Sequence, residues 1–406
     1  MRGWGALAMA ALLMLTMALD PTASAYLVDT TIPQAGGCPA INRWNLSAAT
    51  PLNRRWSTSL PGAANALLTV AASGTARLAE IEQAITDSFG VWSGVGGTTF
   101  NATAHPGLLA PLGRVADANA CTNDAESDAD GLNTICFNES SAAFSSGVLA
   151  FTRTITANAP GASVGSSGPA AFAGQILDAD TLFRNDGQAS FATPSALATA
   201  QGKGAYDLES LLTHELGHWL GFDHSAVWRA IMFPFAPPPG EFLGNRPTGA
   251  APDAPLSDDD RTGIRVQYPD PSDTVNVGAI RGRVLPANPF SLASLPAPGP
   301  GESLTGIFGA HVVAVDADTG SVIAGTLGGW SCSATTNSLQ FDGTFAIERL
   351  PVGRDYAIYA EPLVGLASPG DFGVALGDLC SSGGASECPT PTVDTNFNPR
   401  FRPAGP

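Results

Sequence analysis

Eleven consecutive residues bring together the side chains that could do chemistry. His214-Glu215-Leu216-Gly217-His218-Trp219-Leu220-Gly221-Phe222-Asp223-His224 reads H-E-x-x-H-x-x-G-x-x-H. On a 3.6-residue period, His214 and His218 project from one helical face about one turn apart, with Glu215 beside them. Gly221 accepts the left-handed backbone that a side chain resists, so the chain can leave the helix there and swing back to present His224. Three neutral imidazoles fill three positions of a tetrahedral zinc ion and leave the fourth for water. Zinc bound this way lowers the pKa of that water toward about 7 and polarises a carbonyl. Glu215 is then placed to accept the water's proton and pass it to a leaving amine, which is peptide-bond hydrolysis.

Such a site needs a helix with an apolar back and a defined start. Leu212, Leu216 and Leu220 fall on one side, opposite the imidazoles, and Asp207 is the expected N-cap. Upstream, Leu78, Ile81, Ile85, Phe89 and Trp92 recur at helical intervals and predict a helix over 75–92. The runs 130–137, 148–152 and 175–183 read as strands. A closing helix is expected over 256–268, capped by Ser257, with acidic residues in its first turn where the helix dipole favours them.

Eight residues beyond His224, Ala230-Ile231-Met232-Phe233-Pro234 resembles the Met-turn of the metzincin clan. With His224-Ser225 and this interval, the segment is most similar to matrixins, the peptidase M10 branch. Astacins carry a tyrosine where Pro234 stands, so an astacin-like or reprolysin-like branch is the minor alternative. The resemblance covers roughly residues 40–270. It implies that His214, His218 and His224 bind one catalytic zinc, Glu215 is the base, and Met232 forms a hydrophobic floor without touching the metal. The implied fold is α+β, a twisted, mostly parallel sheet with an antiparallel edge strand, long helices and the active-site helix. The helix over 75–92 resembles the family's first long helix, and 175–183 resembles the edge strand against which substrate lies extended. Matrixins of animals also hold a structural zinc through extra histidines and carry a long propeptide with a cysteine that caps the catalytic ion. Only His105 and His311 remain here outside the motif, so that second zinc is not expected, nor is latency by that route.

Cys38, in Gly36-Gly37-Cys38-Pro39, is either a short cap on the zinc or half of a disulfide, and the disulfide is favoured. The six cysteines (38, 121, 136, 332, 380 and 388) include no C-x-x-C pair, which in an exported chain points to disulfides. Fifteen pairings are open, with Cys121–Cys136 and Cys380–Cys388 the short loops to test first. The acidic loop 123–131 offers Asp128 and Asp130 as calcium ligands, although Phe137 stands where an EF-hand places its glutamate. Asp178 and Asp180 form a second candidate pair, because matrixins bind calcium near the matching strand.

Arg2, an apolar run over 6–18 and Ala23-Ser24-Ala25 read as a signal peptide over 1–25, which places the protein outside the cell. The apolar run is too short to span a bilayer, and no membrane anchor is expected. Charged residues make up 14% of the chain, the net charge is −17, and Lys203 is the sole lysine. Such a surface repels nucleic acid and anionic lipid, and suits neutral or mildly basic protein substrates. A monomer is expected.

The texture changes after Tyr268-Pro269, where Asp270-Pro271-Ser272-Asp273 reads as a linker. Strand-like runs at 279–284, 310–315, 344–347 and 356–360, with turns at Asp318-Thr319-Gly320 and Asp342-Gly343, predict an all-β sandwich. Gly309-Ala310-His311-Val312, Phe341-Asp342-Gly343-Thr344-Phe345 and Leu350-Pro351-Val352-Gly353 resemble the carboxypeptidase regulatory-like, transthyretin-like sandwich. The expected organisation is a signal peptide over 1–25, a matrixin-like zinc metalloprotease domain over 26–270, the sandwich over 276–365 and a Cys/Pro-containing tail over 366–406. The expected function is a secreted zinc endopeptidase that favours a bulky apolar residue just after the scissile bond. The alternative is a catalytically silent binding or adhesion protein on the same scaffold.

Overall fold

The computed structural model describes residues 27–46, 51–61, 67–70, 74–116, 130–138, 144–199, 202–241, 256–286, 306–333, 338–363 and 400–402. The expected signal peptide, the 366–406 tail apart from 400–402, Asp128, Cys121, Cys380 and Cys388 lie outside them.

Five strands build the first sheet: β1 (Arg55–Ser57), β2 (Gly113–Val115), β3 (Thr134–Cys136), β4 (Ala150–Thr156) and β5 (Ile176–Phe183), in the order β2-β1-β3-β5-β4. The first four in that order pair in parallel, and β4 closes one edge antiparallel to β5. A mostly parallel sheet with an antiparallel edge strand is what the resemblance implied, but the edge is not where it was expected. β4 is the open edge, whereas 175–183 contains β5, an interior strand buried along nearly all its length. The reason lies in Asp178, Asp180 and Thr181. These polar residues make β5 look exposed, yet they find partners inside the sheet: Asp180 accepts from the Thr134 N–H at 2.8 Å, and the Thr181 hydroxyl pairs with that of Thr152 at 2.8 Å.

Helix α1 (Gly74–Ser93) buries Ile81, Ile85, Phe89 and Trp92, the period-3.6 stripe read from the sequence. It packs on α2 (Leu208–Trp219), the motif helix, by hydrogen bonds as well as area. Trp92 Nε1 donates to Thr213 O at 2.8 Å and Ser88 Oγ to Glu209 O at 3.1 Å. On its other side, the Trp219 ring is 4.7 Å from Trp44, whose Nε1 donates to Trp219 O. Helix α3 (Asp258–Gln267) begins with a capping box between Ser257 and Asp260.

Beyond α3, β6 (Val277–Arg283) pairs antiparallel with β9 (Thr344–Pro351). A four-stranded antiparallel sheet runs β8 (Val322–Leu327), β7 (His311–Asp316), β10 (Tyr356–Glu361), β11 (Arg400–Arg402). Val312, Ala314, Ile323, Phe345 and Ile347 from these strands share one core cluster. The turn after β7 closes through Asp316, whose side chain accepts from the Asp318 and Thr319 N–H groups. The four predicted strands correspond to β6, β7, β9 and β10. β8 escaped notice because Val322-Ile323-Ala324-Gly325-Thr326-Leu327 is buried almost throughout and shows no alternation.

The strands after residue 276 pack directly on the first part of the chain. Val266 of α3 joins their core cluster, and Arg349 Nη1 donates to Asp270 O and Asp273 O at 3.2 and 3.0 Å. Cys38 is bonded to Cys332 across 294 residues. This pairing removes the reading of Cys38 as a cap on a metal, because its sulfur is already spent. Cys136 is also in a disulfide. Among the described residues, no helix is long and apolar enough to cross a membrane.

Candidate metal centre and substrate cleft

α2 starts at Asp207, whose side chain accepts from the Glu209 N–H, and it ends as Gly221 turns to φ 90°. A Cβ at Gly221 would stand 2.8 Å from Gln267 Nε2 and overlap Asn42 O, so both conformation and space demand glycine. The chain then returns past the helix, and Val28 pairs with Phe222 in an isolated antiparallel bridge.

His214, His218 and His224 thereby meet, each offering a ring nitrogen, with all three ligand atoms within 4.8 Å of one another. The Nε2 atoms of His214 and His218 are 3.2 Å apart. Ligands about 2.0–2.1 Å from a tetrahedral ion stand roughly 3.3–3.4 Å apart, so this spacing fits one zinc. The tautomers fit as well. His214 Nδ1 lies 2.7 Å from Ile231 O and His218 Nδ1 2.8 Å from Phe222 O, so each Nδ1 carries the proton and each Nε2 lone pair points inward. Burial, then the neighbouring His224, pushes the His214 imidazole down to about 3, and burial with its two neighbouring histidines holds His218 well below its ordinary value. Neutral imidazole is the form that ligates.

Glu215 is buried beside them, and Thr152 Oγ1 of β4 donates to its Oε2 at 2.8 Å. Burial pushes the Glu215 carboxyl up to about 8, while the Thr152 hydrogen bond acts the other way. Met232 lies below with no exposed surface. A Cβ at Gly217 would overlap its sulfur, so Met232 packs this closely under the helix because this chain has glycine at a variable position of the motif. Asp260 holds the turn, its Oδ2 accepting from the Ile231 N–H at 2.8 Å and its Oδ1 from the Met232 N–H at 3.3 Å.

The triad opens into a cleft of about 790 Å³. The open edge strand borders it through Ala150, Phe151 and Thr152, with Leu149 just before it, and the segment Phe233–Pro237 forms another wall with Leu211. Asp29, Asp207, Asp223 and Glu241 are also among its lining residues, and among the described residues no lysine or arginine lines it.

A family model described as Matrixin matches residues 158–269, which span β5, α2, the Met232 turn and α3. That segment is matrixin-like. Matrixins bind zinc, and the matrixin-like segment contains all three converging histidines. Metalloendoproteinase 1 of Glycine max is 42% identical over 64 residues, 16% of this chain. The match covers 17% of that relative's length.

The sequence placed His214, His218, His224, Glu215 and Met232, and the fold brings them together. Of the calcium candidates, Asp178 is raised to about 6 by burial and then by the neighbouring Asp130, and Asp180 to about 8 by burial and then by Asp178. They do not converge as tightly as the imidazoles, since among the described residues only the histidine triad groups three ligand atoms within 4.8 Å. Thr152, Gly217 and Asp260 escaped the sequence reading. Asp260 left a trace as the acidic residue three after Ser257, whereas Thr152 left none, being 63 residues from Glu215.

Proposed function

We propose that the chain is a secreted zinc endopeptidase in which His214, His218 and His224 hold the ion, Glu215 is the general base and Met232 the floor. The observation that carries this reading is the convergence of three imidazoles, two with Nδ1 committed to backbone carbonyls, beside a buried carboxylate. Zinc would supply Lewis acidity and an activated water at this point. The protein's own groups do the rest. Glu215 accepts a proton and returns it to the departing amine, and Thr152 fixes the rotamer that allows this. The open edge of β4 offers backbone hydrogen bonds to a substrate laid alongside as an added strand. The wall of Phe233, Pro234 and Phe235 accepts a bulky apolar side chain just after the scissile bond, and the acidic lining favours basic residues nearby.

We further propose the unit boundaries 26–270 for the protease, 276–365 for a carboxypeptidase regulatory-like sandwich and 366–406 for the tail. Export by a signal peptide over 1–25 is consistent with the Cys38–Cys332 bond. Calcium at Asp178 and Asp180 is part of the same reading.

The test is zinc content and casein hydrolysis of the mature protein beside Glu215→Ala, with and without a chelator. The expected result is one zinc in both proteins, activity only in the wild type and its loss on chelation, with a fall of about 10²–10⁴ in kcat for the variant. Absence of zinc from the wild type overturns the reading. Mapping cleavage on a peptide library tests the cleft wall, and a strict preference for a charged residue after the scissile bond would overturn that part alone.

A further inference from the structure

Asp259, the second residue of α3, is 1% exposed and joins two distant parts of the chain. Its Oδ2 accepts from Ser225 Oγ at 2.6 Å, and its Oδ1 accepts from the Gly325 N–H of β8 at 2.7 Å. Ser225 directly follows the ligand His224. Its own N–H donates to Met232 O at 2.7 Å, and its hydroxyl accepts from the Val227 N–H at 3.1 Å. One carboxyl therefore ties β8 to the loop that runs from the third imidazole to the floor.

Three further observations make this a built joint. A Cβ at Gly325 would stand 2.7 Å from Val227 Cγ2 and 2.7 Å from His311 Nε2, so β8 approaches the loop as closely as a glycine allows. Phe233, a wall of the cleft, belongs to a cluster with Phe308, Leu327, Phe341 and Leu363, all from the chain beyond residue 305. Both of those hydrogen-bond partners are uncharged groups, and Asp259 lies beside Asp260, which with burial raises its pKa well above the usual range. An apolar contact would bury the same area without desolvating a carboxyl. What the carboxyl adds is direction, since two short hydrogen bonds fix the loop against the strand.

We infer that Asp259 is a positioning residue of the metal centre, through which the C-terminal strands set the loop that carries His224 and Met232. This rests on the zinc reading proposed above. The C-terminal unit is on this view a structural part of the protease centre. Removing it or shifting β8 loosens metal retention and the cleft wall together.

The test compares zinc retention against a competing chelator, at a temperature where every protein is folded, in the full chain and its variants. Asp259→Ala is expected to release zinc about tenfold more readily, the lower end of what removing a ligand-orienting partner does. Asp259→Asn keeps an oxygen for Gly325 and an amide that can donate to Ser225, so retention should return to near the wild-type value. Ser225→Ala, which removes only a hydroxyl, should weaken retention as Asp259→Ala does, and it serves if Asp259→Ala does not fold. Leu177→Ala, in a separate small core cluster with Ala157 and Ala170, controls for lost stability and should lower Tm with zinc retention unchanged. Retention in Asp259→Ala equal to wild type, or an equal loss in Leu177→Ala, overturns the inference and leaves the protease reading standing. A wild type that binds no zinc overturns both.

Discussion

The residue beside the proposed base makes the sharpest kinetic prediction. Thr152→Val keeps the shape of the side chain and removes the hydroxyl that donates to Glu215 Oε2. An ordinary hydrogen bond contributes about 0.5–1.5 kcal/mol, so kcat/KM should fall roughly two- to tenfold with zinc content unchanged. Steady-state kinetics with metal analysis checks it. A second prediction concerns Asp178 and Asp180, raised from 3.8 to about 6 and about 8. Folding holds protons on these carboxyls that the unfolded chain has already released. Metal-free protein should therefore lose stability as pH rises from about 4 through 8. Thermal melts across that range, in EGTA, should show the decline, and Asp180→Asn should flatten it. Under the calcium proposal, adding calcium restores Tm increasingly toward high pH. The histidine triad was legible in the sequence because one helix and one glycine fix its geometry locally. Thr152 was not, because its meeting with Glu215 depends on how β4 lies beside α2, and no local pattern encodes that.

At the scale of elements, the ends of α2 and α3 decide the architecture. Gly221→Ala should destabilise the protein by at least about 1–2 kcal/mol from the left-handed backbone alone, with more from the overlap at Asn42 O. Denaturant unfolding of the variant measures this, and a loss below about 0.5 kcal/mol would contradict the geometry. Helices α1, α2 and α3 followed from periodicity, and the N-caps of α2 and α3 from short polar signals. The sheet edge did not, since a polar interior strand and a true edge strand carry similar compositions. β4 and β5 were therefore exchanged in role. β8 was lost for the opposite reason, its burial having erased alternation. The acidic first turn of α3 was read as dipole complementarity, yet Asp259 and Asp260 reach sideways to Ser225, Ile231 and Met232.

For the whole molecule, Cys38–Cys332 joins the segment before the first sheet to the strands after residue 276. Cys38→Ser should lower stability by about 2–5 kcal/mol, visible as a reduced Tm, and should not activate the enzyme. The same bond sets an order of events during synthesis. All three imidazoles of the motif have been made by residue 224, but Cys38 has no partner until residue 332 emerges, more than a hundred residues later. A ribosome-bound chain thus holds all three imidazoles before it can lock the frame around them. The bond that ties the first segment to the later strands can therefore close only after the whole motif has been synthesised, so the order of residues along the chain puts the triad before its brace.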